Sequence, residues 1–283
     1  MRRSSPEANK SRRVCSRRNW CVPAFFFFGL MAVLGCQDQA ERALRIQNDA
    51  RWEHVHGGIV RGDTSRPVLA LVFTGGDYGE GTEHILTTLR QFNIKASFFL
   101  TGSFMASPER RALVKRMHKE GHYVGPHSHS HPLYCAWEDR SRTLVNEEFF
   151  RDDLSRNIKE LQEIGALQDG RPIFFIPPYE WYNEDQVRWA NQMGVVLFNF
   201  TPGSGSNRDW IPEGQAGFVP GDVILRDILA YEERDPHGLN GFLLLLHLGA
   251  QRHDKVYLHL GSLIEQLQRR GYSFARVDEM LTK

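Results

Sequence analysis

Three imidazoles fall within five positions in His127-Ser128-His129-Ser130-His131, directly after Gly125-Pro126. Neutral imidazole is the commonest nitrogen ligand for zinc-like metals, and catalytic metal sites combine a few such ligands with an open position. The cluster follows the short apolar run His122-Tyr123-Val124, which has the pattern of a buried strand. A metal site at the carboxyl end of a strand is where α/β barrels keep their chemistry. The competing reading is a polar loop whose histidines cap and hydrogen-bond. Cys135 stands just beyond the cluster, either as a fourth soft ligand or as a small apolar residue in a pocket wall.

Other apolar runs also end in polar residues. Val68–Phe73 is followed by Thr74-Gly75-Gly76-Asp77, and Ile173–Ile176 by Pro177-Pro178-Tyr179-Glu180-Trp181. Val195–Phe200 contains Asn199 and is followed by Asp209-Trp210, and Phe242–Leu246 ends at His247. In a barrel, side chains at these ends converge on one mouth. Each has a plainer alternative: Asp77 as a helix cap, Glu180 as a surface carboxylate, His247 as a core histidine, and Trp181, Tyr182 and Trp210 as packing residues. His129 is expected to face away from its two neighbours, and His54 and His56 to lie at the surface.

The elements that must position these residues alternate in type. Apolar runs at 68–73, 95–100, 122–124, 173–176, 195–200, 242–246 and 272–276 predict seven strands. Between them, helical periodicity covers 81–91, 107–121, 146–164, 184–193, 222–233 and 257–270, with Ser107-Pro108 as a helix-start signal. No long linker or charge run divides the series. The expected fold is therefore α/β, one (β/α) barrel of about seven strands spanning 67–283. No phosphate-cradling glycine fingerprint is present.

The chain of 283 residues carries 35 Lys+Arg and 34 Asp+Glu, but the balance is uneven along it. Residues 1–35 hold seven basic residues and one acid, Glu7, so the remainder is net acidic. That argues against nucleic acid as a partner, since phosphate binding needs clustered positive charge. The basic start precedes an apolar run at 22–35, short for a membrane span and suited to a secretory leader. Val33-Leu34-Gly35-Cys36 resembles a bacterial lipobox, which implies residues 1–35 as signal peptide, lipidation of Cys36, and a membrane-anchored protein on the periplasmic or extracellular face. Ordinary secretion and an uncleaved anchor are the alternatives. Residues 36–66 are expected as a tether and irregular entry segment. Cys135 alone would remain after processing, which excludes an intrachain disulfide in that form.

Over about residues 66–278 the order of these pieces resembles the NodB-type polysaccharide deacetylases, carbohydrate esterase family four. The His-Ser-x-x-His motif is met by His127 to His131, the Pro-Tyr pair by Pro178-Tyr179, and the Leu-x-His near the end by Leu245-Leu246-His247. The resemblance implies a NodB-like barrel and a divalent metal, with zinc expected, held by His127 and His131. It further implies an oxyanion held by the backbone of Tyr179 and His247 as general acid. Asp209-Trp210 is similar to a segment bordering the family's pocket; Trp181, Tyr182 and Trp210 are candidates to stack on sugar rings, with Tyr179 also expected to contact substrate. The implied activity is removal of N-acetyl or O-acetyl groups from an acetylated glycan at the cell envelope, by hydrolysis of a non-peptide C–N bond or an ester.

Two departures stand out. The family's Thr-Phe-Asp-Asp-Gly is Val72-Phe73-Thr74-Gly75-Gly76, so the base and a metal carboxylate are both missing. The arginine two residues before Pro-Tyr is Ile176. Asp77 is expected to swing into the metal set, and Asp77 or Glu180 to take the proton of the attacking water. The alternative is a catalytically inactive glycan-binding protein using the same mouth.

Overall fold

In the computed structural model, residues 37–167 and 170–283 are described, so the expected leader and Cys36 lie outside the described residues. The first described element is a helix, α1 (residues 37–47), followed by an antiparallel hairpin of β1 (Glu53–Val55) and β2 (Gly58–Arg61). Residues 36–66, expected as a tether and irregular entry, thus include a helix and a hairpin over the described part. One buried glutamine explains much of the difference. The Gln47 side-chain amide donates to the carbonyls of Gly57 and Leu197, both at 2.9 Å, and its oxygen accepts from Leu197 N–H at 2.9 Å. The apolar side of α1 is small, with Ala43 buried and Ile46 packed against the inner core.

The alternation then runs as β3 (Val68–Gly75), α2 (Thr82–Gln91), β4 (Ser97–Leu100), α3 (Pro108–Lys119), β5 (Tyr123–Pro126) and α4 (Glu147–Ile164). It continues with β6 (Ile173–Phe175), α5 (Glu184–Gln192), β7 (Val195–Leu197), α6 (Gly221–Arg234), β8 (Leu243–His247), α7 (Leu260–Arg269), β9 (Ser273–Phe274) and α8 (Val277–Met280). The Ser107 hydroxyl accepts from Arg110 N–H at the start of α3, with Pro108 at the first helical position. The helix expected over 257–270 begins as a 3-10 turn, Val256–His259, before α7.

The parallel strands lie in the order β5-β4-β3-β8, with β9 pairing the start of β3, and β6-β7 form a second parallel pair. Segments after β7 bridge the groups: Asn199 N–H donates to Ile59 C=O at 2.7 Å and Thr201 N–H to Leu243 C=O at 3.0 Å. On the other side the Tyr123 hydroxyl accepts from Phe174 N–H at 2.8 Å. The result is a (β/α) barrel with seven strands, β3 to β9.

Strand parity assigns each side chain a side. Ala70 and Val72 of β3 and Leu243 and Leu245 of β8 pack inside with Phe99, Phe174, Ile176, Val196 and Phe198. Leu69, Leu71, Phe73, Leu244 and Leu246 pack outside, against Ile85, Leu86, Val114, Ile224 and Ile264 of the surrounding helices. Thr74 and His247 continue the inner rows and pair in register at the carboxyl ends of β3 and β8. This is why both reach the mouth. Gly75, by the same parity, faces out.

Candidate active site

The histidine loop leaves β5 and turns sharply, with Ser128 (φ 66°) and His131 (φ 55°) in the left-handed region. Helix α4 braces it along one face. Asn157 accepts from His127 N–H at 3.0 Å. Asp153 accepts from the N–H groups of His129 (3.0 Å) and Ser130 (3.1 Å) and from the Ser130 hydroxyl (2.6 Å). Glu160 meets the His129 ring at 3.0 Å. His129 therefore points away from the mouth toward α4, as expected. Asp153, Asn157 and Glu160 are functional supports that the sequence reading passed over. Their signal was there, because polar residues at helical spacing share a face with buried Phe150, Leu154 and Leu161.

His127 is buried, and its Nδ1 lies 2.8 Å from Ile176 C=O. A carbonyl can only accept, so Nδ1 carries the proton and Nε2 keeps its lone pair for the mouth. Burial, reinforced by His131, holds His127 well below its ordinary pKa. Burial also lowers His131 to about 4, against an opposing pull from Asp77. Both imidazoles are thus neutral near pH 7, with ring centroids 5.0 Å apart.

Glu180 enters the mouth from the loop after β6. Both Tyr179 (φ 58°) and Glu180 (φ 51°) are left-handed, a conformation costly for residues with a Cβ and concentrated at functional sites. The turn leaves the Glu180 side chain 13% exposed, with Oε1 3.9 Å from His127 Nε2. Burial raises its pKa to about 7; nearby Asp209 pushes the same way and His247 opposes. Opposite stands His247. Its Nδ1 donates to Asp209 Oδ1 at 2.6 Å, and its backbone N–H donates to Asp209 Oδ2 at 2.7 Å. Burial disfavours the imidazolium, but the Asp209 carboxylate outweighs it and Glu180 adds to it, so the pKa of His247 is raised. Asp209, expected only as a pocket border, is the partner that orients and charges His247.

Thr74 Oγ1 is buried at this mouth with no hydrogen-bond partner among the described residues. A Cβ built at Gly75 would lie 2.7 Å from Leu248 Cδ1 and 3.0 Å from both Leu100 and Phe104. That wall is apolar. Asp77 is exposed, its backbone C=O held by Arg110. The Asp77–His127–His131 set is accordingly not assembled: the two imidazoles meet, and among the described residues no group of three His, Cys, Asp or Glu side chains is gathered to hold a metal ion. The donors present do not fit a three-ligand metal centre, because the outward side of Gly75 is packed with hydrocarbon and the nearby acid points to solvent.

The aromatic candidates separate. Tyr179 is half exposed with its ring 4.4 Å from His131, and Trp210 is half exposed just beyond Asp209. Trp181 is partly covered, its indole N–H donating to Ala136 C=O. Tyr182 is a packing residue, fully buried with its hydroxyl donating to Val55 C=O at 2.7 Å. Cys135 is buried, and burial raises its thiol to about 11, which fits the wall and not a thiolate ligand. His54 and His56 are exposed.

A family model described as polysaccharide deacetylase matches residues 61–198, which span β2 through β7, the histidine loop and the Pro-Tyr turn. Over that stretch the chain is similar to the polysaccharide deacetylase family. A peptidoglycan-N-acetylglucosamine deacetylase of Bacillus cereus is 28% identical over 81% of this chain and 74% of its own length. The Bacillus subtilis peptidoglycan-N-acetylmuramic acid deacetylase PdaA is 24% identical over 78% of this chain and 73% of its own. Among solved structures, a family-four carbohydrate esterase pseudoenzyme from Bacillus anthracis superposes with a TM-score of 0.63 at 21% identity, covering 81% of this chain and 70% of that one. A mutant of that pseudoenzyme is described as having restored enzymatic activity. The chain thus shares its fold with a pseudoenzyme and with a variant of it whose activity was restored. Members of the family generally depend on a metal, whereas among the described residues His127 and His131 meet with no third ligand gathered to complete a site.

Proposed function

We propose that the chain removes acetyl groups from an acetylated polysaccharide of the cell envelope, from an exported position anchored by lipid on Cys36. The observation that carries this is the pairing, across one mouth, of a buried carboxyl tuned to about 7 (Glu180) with a histidine charged by Asp209 (His247). A base and an acid whose environments set them to opposite tasks are the requirement for adding water to an amide or ester and expelling the leaving group. Glu180 as carboxylate takes the proton of the attacking water. The imidazolium of His247, fixed through Nδ1 by Asp209, donates from Nε2 to the departing amine or alkoxide. The backbone N–H of Tyr179 faces the developing oxyanion. His127 and His131, held neutral, offer lone pairs to the substrate side of the pocket.

A second reading is favoured by a different observation. The two carboxylate positions of the family motif hold Thr74 and Gly75, and the side of Gly75 is filled by Leu248, Leu100 and Phe104. A binding protein that holds the glycan without turning it over would keep such a wall. Acetate release from acetylated peptidoglycan and from N-acetylglucosamine oligomers separates the two. Hydrolysis predicts release by the wild type, a loss of about 100-fold or more in Glu180→Gln, and near abolition in His247→Ala. Absence of release from every acetylated glycan, with the fold intact, rejects hydrolysis in favour of binding.

A further inference from the structure

An apolar groove runs between α1 and α5. Ala40 and Leu44 line it from α1, Val187 from α5, and Gly57 from the tip of the hairpin. Leu44 is 49% exposed, and Val55, two residues before Gly57, is 40% exposed. Helix α1 cannot roll over to cover this face. Gln47 fixes its end to the backbone of Gly57 and Leu197, Ala43 is buried, and Ile46 packs against the inner core. The hairpin is held as well, with Val55 C=O accepting from the Tyr182 hydroxyl at 2.7 Å. Apolar area kept open in this way marks a contact surface.

The residue before α1 indicates what covers it. Cys36, the expected lipid carrier, directly precedes Gln37, where the helix begins. Counting back in steps of four from Leu44 passes Ala40 and reaches Cys36, and residues four apart share a helix face. At the helical rise, eight residues span only about 12 Å. No tether separates the lipid from the folded domain, so an anchor at Cys36 brings this face to the bilayer. A weak contact then suffices, because linked partners meet at an effective concentration of about millimolar. The charges around the groove balance. Arg188 pairs with Asp185, His56 meets Glu184, and Arg42 pairs with Asp38, while α1 adds one further charge of each sign in Glu41 and Arg45. A balanced rim around an apolar groove suits zwitterionic headgroups, with the contact driven by apolar burial and not by anionic lipid.

We propose that the groove between α1 and α5, with Leu44 and Val55 at its edge, seats the domain on a zwitterionic lipid surface at the boundary of headgroups and acyl chains. This rests on lipidation of Cys36 in the reading above and goes beyond it by fixing which face meets the membrane. Glu180 stands four residues before α5, so seating holds the mouth close to the bilayer, and the glycan it meets is the membrane-proximal layer.

Fluorescence quenching tests this on the mature, lipidated chain in phosphatidylcholine vesicles whose acyl chains carry a nitroxide. Cys15 and Cys21 leave with the leader and Cys135 is buried, so a thiol dye labels only an introduced cysteine. A dye on Leu44→Cys is expected to be quenched about twofold or more, and one on Arg269→Cys, an exposed position of α7, to be unaffected. The quenching should persist at high salt, which screens ionic contacts but not apolar ones. Leu44→Glu should abolish quenching of a dye on Val55→Cys while leaving circular dichroism and acetate release from soluble oligomers unchanged. Equal quenching at positions 44 and 269 overturns the proposal, as does quenching that requires anionic lipid or disappears in salt. A dye at position 44 shielded from water but not quenched by lipid, with a dimer in sedimentation, assigns the groove to a second copy and also overturns it. Failure of the lipid reading is distinguished beforehand, as a mature mass without acyl chains on Cys36, and the seating falls with it.

Discussion

At the scale of single residues, the mouth is defined by how a few titratable groups are held. His247 would be neutral in its buried setting without Asp209. Asp209→Asn should therefore move the titration of His247 from above its ordinary value of 6.5 to below it, followed by NMR of the imidazole, and should lower acetate release together with it. An unchanged titration would show that Asp209 does not set the charge. His127 and Glu180 make the complementary case: one is kept neutral and one half-ionised by the same burial, 3.9 Å apart. The spacing of His127, His129 and His131 made the histidine loop legible in sequence, as did the position of His247 at the end of an apolar run. Asp209 was visible only as a neighbour of Trp210, because nothing in a sequence states that two loops 38 residues apart will share a hydrogen bond.

Elements explain why the chemistry sits where it does and why part of the family pattern is missing. Parity along β3 sends Thr74 inward and Gly75 outward, against Leu248, Leu100 and Phe104. A carboxylate put back at position 75 would meet hydrocarbon at less than contact distance. Gly75→Asp is accordingly expected to destabilise the fold by about 1–3 kcal/mol, read from the urea midpoint, the usual cost of overpacking. Adding Leu248→Ala should return part of it, and a midpoint unmoved by Gly75→Asp would refute this packing account. The strands and helices themselves were foreseen within a few residues, since apolar runs and 3.6-residue periodicity are local properties. The hairpin and α1 were not, because a buried glutamine bonded to the backbone of β7 fixes them, and that contact spans 150 residues.

For the whole molecule, stability is tied to pH by buried histidines far from the mouth as well as in it. His122 sits at the other end of β5, its Nδ1 accepting from Ala96 N–H and its ring edge-on to Phe98 at 5.2 Å. Burial lowers its pKa to about 4; Lys95, Arg276 and Arg116 push the same way, and Glu120 opposes. The unfolded chain takes up this proton near 6.5 and the folded chain only near 4, so the unfolded state binds more protons between those values. Stability should fall as pH falls through that window, approaching about 1.4 kcal/mol per pH unit for each such histidine. Urea unfolding at pH 7, 6 and 5 measures the slope, and a flat profile would contradict a neutral buried His122.

The sequence by itself determined the barrel and the list of residues at its mouth. Both follow from short-range rules: alternation assigns a strand's two faces, periodicity assigns a helix's buried stripe, and strand ends collect at one rim. Only the tertiary structure decided which acid faces inward. Asp77 follows β3 into a loop held by Arg110 and points to water, while two consecutive left-handed residues after β6 turn Glu180 toward His127. The direction of a loop side chain depends on packing between elements distant in sequence, and residue spacing carries no record of it.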